Sequence, residues 1–335
     1  MTDFNPSYQG SKFSHIYVEE RAAAYPLTGE ILRRFPNARL VYIKHYKDLF
    51  NRPRQDFQRQ KAAPKLILAE KGEPFVYKGP DICENFGYEH FYYASTLLNC
   101  LYHCDYCYLQ GLYPSANLVA FVNTSDFFEA VKKLLSEVDF LYLCASYDTD
   151  LLAFEGVVPY TKMWIDFARE QENLLLEVRT KSANYRLIRS EKAAGQVVLS
   201  WTLSPEGIAR RYERLAPPLK ARLEAAREAL EDGWKVRLSL EPMLQVKDWR
   251  KVYGEFIDQI FQVLPADRLF DVNLGVFRMN KEYFKRIEKS RTDTDLFCFP
   301  MSCRDGVVSY EREQEMKEFL YQRLREHCPE EKIYG

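Results

Sequence analysis

Three cysteines, Cys100, Cys104 and Cys107, stand in the stretch Asn99–Gln110 (NCLYHCDYCYLQ) at the spacing C-x3-C-x2-C. Structural zinc wants four nitrogen or sulfur ligands, usually as two separated pairs. His103 is too close to its neighbours to complete such a set, so Cys298 or Cys303 would have to supply the fourth ligand. Dithiol redox catalysis uses C-x2-C and has no place for a third thiol. Three cysteines this close among aromatics are poor core filler. A [4Fe–4S] cluster takes three thiolates as they stand and leaves one iron open to a substrate or cofactor.

The elements that must hold such a loop follow in series. Apolar or β-rich runs at 90–97, 139–146, 174–180, 197–203, 235–240 and 269–276 alternate with amphipathic helical patterns. Ser125 or Asp126 is the expected cap of FFEAVKKLLSE, and Pro217-Pro218 opens LKARLEAAREALEDG, which should stop at Gly233. Further helices are expected in VYGEFIDQIFQVL and KEYFKRIEKS. Strand–helix units in series predict an α/β fold with a parallel sheet and right-handed crossovers. Six units fall short of a closed eight-fold barrel, so the expected architecture is a partial (β/α)6 TIM-like barrel. The cysteine loop then follows the first strand, at the carboxyl-end mouth where parallel-sheet enzymes keep their chemistry.

The chain has 335 residues, 47% hydrophobic and 28% charged, enough for one large α/β domain or two smaller ones. No run approaches the roughly 18 apolar residues of a membrane span, and MTDFNPSYQGSKFSH has no apolar leader core. Eight cysteines without a leader predict a reducing, cytoplasmic setting. A net charge of −1 excludes a general affinity for nucleic acid, so any such binding must come from a local patch. Residues 1–89 read as an N-terminal cap segment, 90–278 as the barrel, and 279–335 as a hairpin–helix extension. In the cap, VEERAAAYPLTGEILRRF reads as a short helix with a proline break. KHYKDLFNRPRQDFQRQKAAPK reads as a basic, solvated loop rather than a phosphate-contacting surface.

With Tyr106 before its last cysteine, the motif resembles that of the radical S-adenosylmethionine superfamily. VEERAAAYPL, CLYHCDYCYLQ, APPLKARLEAA and FRMNKEYFKRIEKS narrow the resemblance to the spore photoproduct lyases, in the family's order and over nearly the whole chain. The resemblance implies a DNA repair lyase with a [4Fe–4S] cluster and S-adenosylmethionine as cofactors. The 5′-deoxyadenosyl radical takes a hydrogen from the spore photoproduct, 5-thyminyl-5,6-dihydrothymine, and two thymines are restored. The alternative is a radical enzyme of the same superfamily acting on RNA or a small molecule. The implied partners are ultraviolet-damaged double-stranded DNA and a reductant such as ferredoxin or flavodoxin, with no membrane and a monomeric chain.

Carried over residue by residue, Cys100, Cys104 and Cys107 match the cluster ligands. Tyr106 would pack on the cofactor, and Tyr108 would relay a hydrogen atom. Thr149 and Asp150 in YDTD, Lys181 in RTKS and Thr202 in WTLS match positions that contact S-adenosylmethionine. Tyr147 is the departure, because well-known family members carry there the cysteine that returns hydrogen to the product. Cys83, in a turn-rich loop, and Cys144 are the replacement candidates, with Tyr147 in the relay. Residues 144 and 147 differ by an odd number, so on one regular strand they point to opposite faces. Cys83 is therefore preferred. Arg304 matches a lesion-side arginine in MSCRDGVVSYERE, although Asp305 replaces the family's common tyrosine. Lys285 and Arg286, with Lys281, Lys289 and Arg291, form a basic helix and tail suited to DNA phosphates.

Overall fold

The computed structural model describes residues 13–335. The expectation of no leader falls mainly on the first twelve residues and lies outside the described ones. The chain groups into two compact units, residues up to Leu101 with Leu112–Arg179, and Tyr102–Gly111 with Thr180–Gly335.

In the first unit, strands Arg39–Ile43, His15–Glu19, Leu66–Ala69 and Leu118–Phe121 lie parallel in that order, and Leu97–Leu98 closes the edge antiparallel. The inner strands Leu66–Ala69 and Leu118–Phe121 are buried at every position, as parallel strands covered on both faces must be. A second group runs Val76–Lys78, Phe91–Ala94, Leu141–Cys144, Leu174–Thr180, parallel apart from the first strand. In the second unit, Val197–Thr202, Lys235–Met243, Asp271–Val276 and Ile333–Tyr334 pair in parallel. An antiparallel sheet of Arg278–Asn280, Val307–Tyr310 and Met301–Arg304 follows.

Each of the expected strand positions carries a strand, and the helix Leu219–Glu231 starts after Pro218 and gives way to Gly233 at φ 90°, as read. The fold is α/β with mixed sheets, none of which closes on itself among the described residues. Several expectations need correction. The run 90–97 is two strands in different sheets, because the chain breaks where the Ser95 hydroxyl donates to Asp148 Oδ2 at 2.6 Å. The helix after 123 begins at Thr124 with Asn123 as its cap residue. Asn123 Nδ2 donates to Asp126 Oδ2 at 2.6 Å, so Asp126 acts from inside the first turn and not as the cap. Pro26 opens its helix, Pro26–Arg34, rather than breaking one, since its missing N–H costs nothing in the first turn. VEERAAAYPL therefore begins as a strand. The basic stretch after Lys44 is not a solvated loop throughout. It forms the turns Lys47–Phe50 and Phe57–Lys61, which bury Phe50, Phe57 and Lys61.

Candidate functional site

The cysteine loop is built by a short ladder and a glutamine. His103–Cys104 pairs antiparallel with Glu213–Arg214, and Asp105 N donates to Tyr212 O at 2.7 Å. Gln110 Nε2 then gathers the loop, donating to Cys104 O at 2.8 Å and to Asp105 O and Cys107 O at 3.3 Å each. On the other unit, the buried Lys61 ammonium donates to Cys100 O. None of the eight cysteines is in a disulfide. Among the described residues no cluster of His, Cys, Asp or Glu gathers tightly enough for a single metal ion.

Behind Cys104 lies a buried polar network. The Tyr106 hydroxyl and Ser204 Oγ (2.9 Å) donate to Glu213 Oε1, and Arg222 Nη2 lies 2.5 Å from Glu213 Oε2. Burial opposes charge on Glu213, but the Arg222 guanidinium, Lys181 and the Tyr106 hydroxyl hold its carboxyl down at about 2. Lys181 Nζ sits 5.5 Å from the Tyr106 ring centroid, a cation–π contact that fixes its stem just after its strand. Thr202 is buried, and its carbonyl accepts from Arg222 Nη1 at 3.3 Å. Tyr108 is half-buried, its carbonyl accepting from Gly111 N at 2.9 Å.

In the other unit, Cys83 Sγ lies 3.5 Å from the Tyr147 hydroxyl. The Tyr147 ring stacks on Tyr93 with centroids 4.3 Å apart. Burial, then the neighbouring Cys83 and Asp148, raise the proton affinity of the Tyr147 phenol well above its ordinary value. The buried Asp148 also receives the Tyr113 hydroxyl. Cys144 closes its strand opposite Tyr93 and Glu177, is 4% exposed, and is pushed up to about 12 by burial and then by the Glu177 carboxylate. Tyr147 stands beyond that strand's end, so strict alternation governs Cys144 but not Tyr147. Thr149 Oγ1 is buried without a hydrogen-bond partner, whereas Asp150 Oδ1 caps the turn Leu151–Phe154 by accepting from Ala153 N at 2.9 Å.

On the surface of the second unit, the hairpin Met301–Arg304/Val307–Tyr310 turns through Asp305 and Gly306 at φ 49° and 77°, the left-handed pair a tight two-residue turn demands. Arg304 is exposed at its tip, as is Lys285 on the helix Lys281–Ser290. Arg286 directs Nη1 inward to Gly111 O at 2.9 Å. Arg291 is buried outright, with Nη1 2.7 Å from Asp105 Oδ1 and Nε donating to Gln110 Oε1 at 2.9 Å.

Sequence reasoning singled out the cysteines and Tyr106 but missed Gln110, Glu213, Arg222, Tyr93, Asp148 and Lys61 as their partners. Gln110 ends the segment CLYHCDYCYLQ and was legible as a neighbour; the others are brought in by the fold from far along the chain.

The sequence model for the spore photoproduct lyases matches residues 12–334. The chain belongs to this family. The spore photoproduct lyase of Bacillus subtilis (strain 168) is 22% identical over 290 residues, 84% of this chain and 83% of the relative. An uncharacterized protein, ORF301 of Acidianus two-tailed virus, is 24% identical over 229 residues, 59% of this chain and 73% of its own length. A solved spore photoproduct lyase variant with bound AdoMet and dinucleoside spore photoproduct shares the fold, with a TM-score of 0.82 at 18% identity over 96% of this chain and 97% of that one. Another, complexed with dinucleoside spore photoproduct, gives a TM-score of 0.82 at 19% identity over 96% and 98%.

Spore photoproduct lyases are radical-SAM enzymes, so the chain is a lyase of that type, with S-adenosylmethionine and a [4Fe–4S] cluster as its cofactors. The residues present fit that group. Three thiols outside any disulfide stand in one twelve-residue stretch, the donor set that a [4Fe–4S] cluster with one open iron takes. No helix among the described residues is long and apolar enough to cross a membrane.

Proposed function

We propose that this chain reverts the spore photoproduct in ultraviolet-damaged DNA to two thymines, with Cys83 returning the hydrogen atom. When bound, the cluster and S-adenosylmethionine supply the 5′-deoxyadenosyl radical that abstracts hydrogen from the lesion. The chain's residues do the rest. Cys100, Cys104 and Cys107 hold the cluster. Tyr106, Thr149, Asp150, Lys181 and Thr202 hold S-adenosylmethionine, the lysine suiting a carboxylate and the hydroxyls its polar groups.

The observation that carries the hydrogen return is the Cys83–Tyr147 contact at 3.5 Å. A thiol gives hydrogen readily to a carbon radical. The thiyl radical left at Cys83 takes the Tyr147 O–H hydrogen beside it, and the tyrosyl radical so formed is quenched by one electron from the ferredoxin or flavodoxin reductant and one proton from solvent. Cys144 lies buried in its strand and is the weaker donor candidate. Tyr108 remains a relay candidate on the cofactor side.

The damaged bases must leave the stack, which costs a few kcal/mol and costs least at a distorting lesion. Arg304 at the hairpin tip and Lys285 on the basic helix are proposed DNA contacts, with Arg286 contributing the part of its guanidinium not turned to Gly111. Residues 1–89 are read as a cap, 90–278 as a partial (β/α)6 barrel carrying the chemistry, and 279–335 as the DNA-contacting extension. A cytoplasmic monomer reduced by ferredoxin or flavodoxin completes the reading. Family membership favours DNA repair over action on RNA or a small molecule. The test is anaerobic reconstitution, reduction with S-adenosylmethionine, and chromatography of a lesion dinucleotide. Thymine should appear together with 5′-deoxyadenosine; 5′-deoxyadenosine without thymine would redirect the search to another substrate.

A further inference from the structure

The basic tail that sequence assigns to DNA faces two ways. Lys281, Lys285 and Lys289 are exposed on the helix Lys281–Ser290. Arg286 Nη1 instead donates to Gly111 O at 2.9 Å, and the Arg291 side chain is 0% exposed between Gln110 and Asp105. Gln110 is the residue whose amide gathers the carbonyls of Cys104, Asp105 and Cys107. Gly111 packs so closely on this helix that a Cβ there would come within 2.6 Å of the Tyr283 backbone. Asp105 is held from two sides, by Arg291 at 2.7 Å and Arg214 Nε at 3.5 Å. Burying an arginine is expensive unless its partners are fixed, and the two shortest side-chain contacts of Arg291, to Asp105 and Gln110, both lie in the cysteine loop, beside a longer one to its neighbour Asp293 at 3.4 Å.

We propose that Arg291, through Gln110 and Asp105, and Arg286, through the Gly111 carbonyl, are positioning residues that set the geometry of the cysteine loop. Arg291 is then no DNA contact. This rests on the cysteines being cluster ligands; what it adds is the C-terminal element that presents them. The closest physical analogy is the partner shell of a metal site, whose loss lowers metal affinity about 10- to 100-fold.

The test compares Arg291→Gln, Arg291→Lys, the double variant Asp105→Asn/Arg291→Gln, and Lys285→Ala as a surface control. Three quantities are read: alkylation rates of Cys104 and Cys107 in cofactor-free protein by mass spectrometry, iron retention with the electron paramagnetic resonance of the reduced cluster, and the salt dependence of duplex binding. Arg291→Gln should alkylate faster and lose iron about 10-fold or more readily, with an altered resonance and an unchanged salt slope. Arg291→Lys, able to keep one contact but not the fork, should fall between. Lys285→Ala should do the reverse, losing about 0.9 of salt slope with unchanged alkylation. If removing one buried charge unfolds the chain, the double variant, which removes both, carries the same readouts. Wild-type alkylation and resonance in Arg291→Gln, or in the double variant, would overturn the proposal, and so would a lost salt slope with unchanged alkylation. Alkylation needs no cofactor, so a failed repair assay would count against the function and not against this role.

Discussion

Cys83 Sγ and the Tyr147 hydroxyl meet at 3.5 Å, from positions 64 residues apart in sequence. A thiol and a phenol in contact can pass a hydrogen atom between them once either one has become a radical. That pairing puts the proposed hydrogen donor and the phenol that would replenish it in one place.

Substituting the pair should separate two steps. Cys83→Ala should abolish thymine recovery while 5′-deoxyadenosine still forms, and Cys144→Ala should leave recovery intact. Tyr147→Phe keeps the ring stack on Tyr93, so its stability should change by no more than about 1 kcal/mol, while repair slows. Product chromatography beside thermal unfolding checks all three; full repair by Cys83→Ala would move the donor elsewhere.

Glu213 should be costly to neutralise. Its carboxylate is fully buried against Arg222 and accepts from Tyr106 and Ser204. Glu213→Gln leaves the Arg222 charge uncompensated, and the expected loss is about 3–5 kcal/mol, read by denaturant unfolding. Its carboxyl sits at about 2, below the ordinary 4.5, so its stabilisation is present above pH 4.5 and lost as pH falls through 2.

Glu155 runs the other way. Burial raises its carboxyl from 4.5 to about 7, although Thr161 N (2.8 Å) and Lys162 N (3.2 Å) donate to it. The folded chain therefore binds this proton more tightly than the unfolded one. Stability is full below pH 4.5 and declines as pH rises toward 7, by up to about 3 kcal/mol. Glu155→Gln, which keeps an acceptor for the helix start, should raise Tm at pH 8 and have little effect at pH 4. Equal effects at both values would show that the carboxyl is not perturbed.

The exposed cations should act on DNA in two distinct ways. Lys285→Ala should reduce the salt slope by about 0.9 on damaged and undamaged duplex alike. Arg304→Ala at the hairpin tip should cost about 1–3 kcal/mol and act mainly on lesion-containing duplex. Titrations of both duplexes at several salt concentrations distinguish these outcomes.

Much of this was legible in sequence because the signals were local. Cys100, Cys104 and Cys107 lie in one loop, the strand runs are dense in apolar residues, and Pro218 and Gly233 punctuate a helix by their backbone chemistry. The N-terminal parallel sheet was missed because His15–Glu19, Arg39–Ile43 and Leu66–Ala69 are strands of four or five residues. At that length a buried strand has no periodicity to separate it from a helix turn. Arg291 read as a solvated cation because sequence counts charge but not what lies opposite it, and Gln110 is 181 residues away. The Cys83–Tyr147 contact was anticipated only as a choice among donors. What brings the two together is the fold around Tyr93 and Asp148, which no spacing encodes.

The most direct measurement is repair of a spore photoproduct dinucleotide by the reconstituted, reduced chain in heavy water, with the recovered thymine weighed by mass spectrometry. The Cys83 thiol exchanges with solvent, so the account predicts thymine carrying one deuterium, and none recovered with Cys83→Ala. Undeuterated thymine, or deuterated thymine undiminished in Cys83→Ala, would contradict hydrogen return through Cys83.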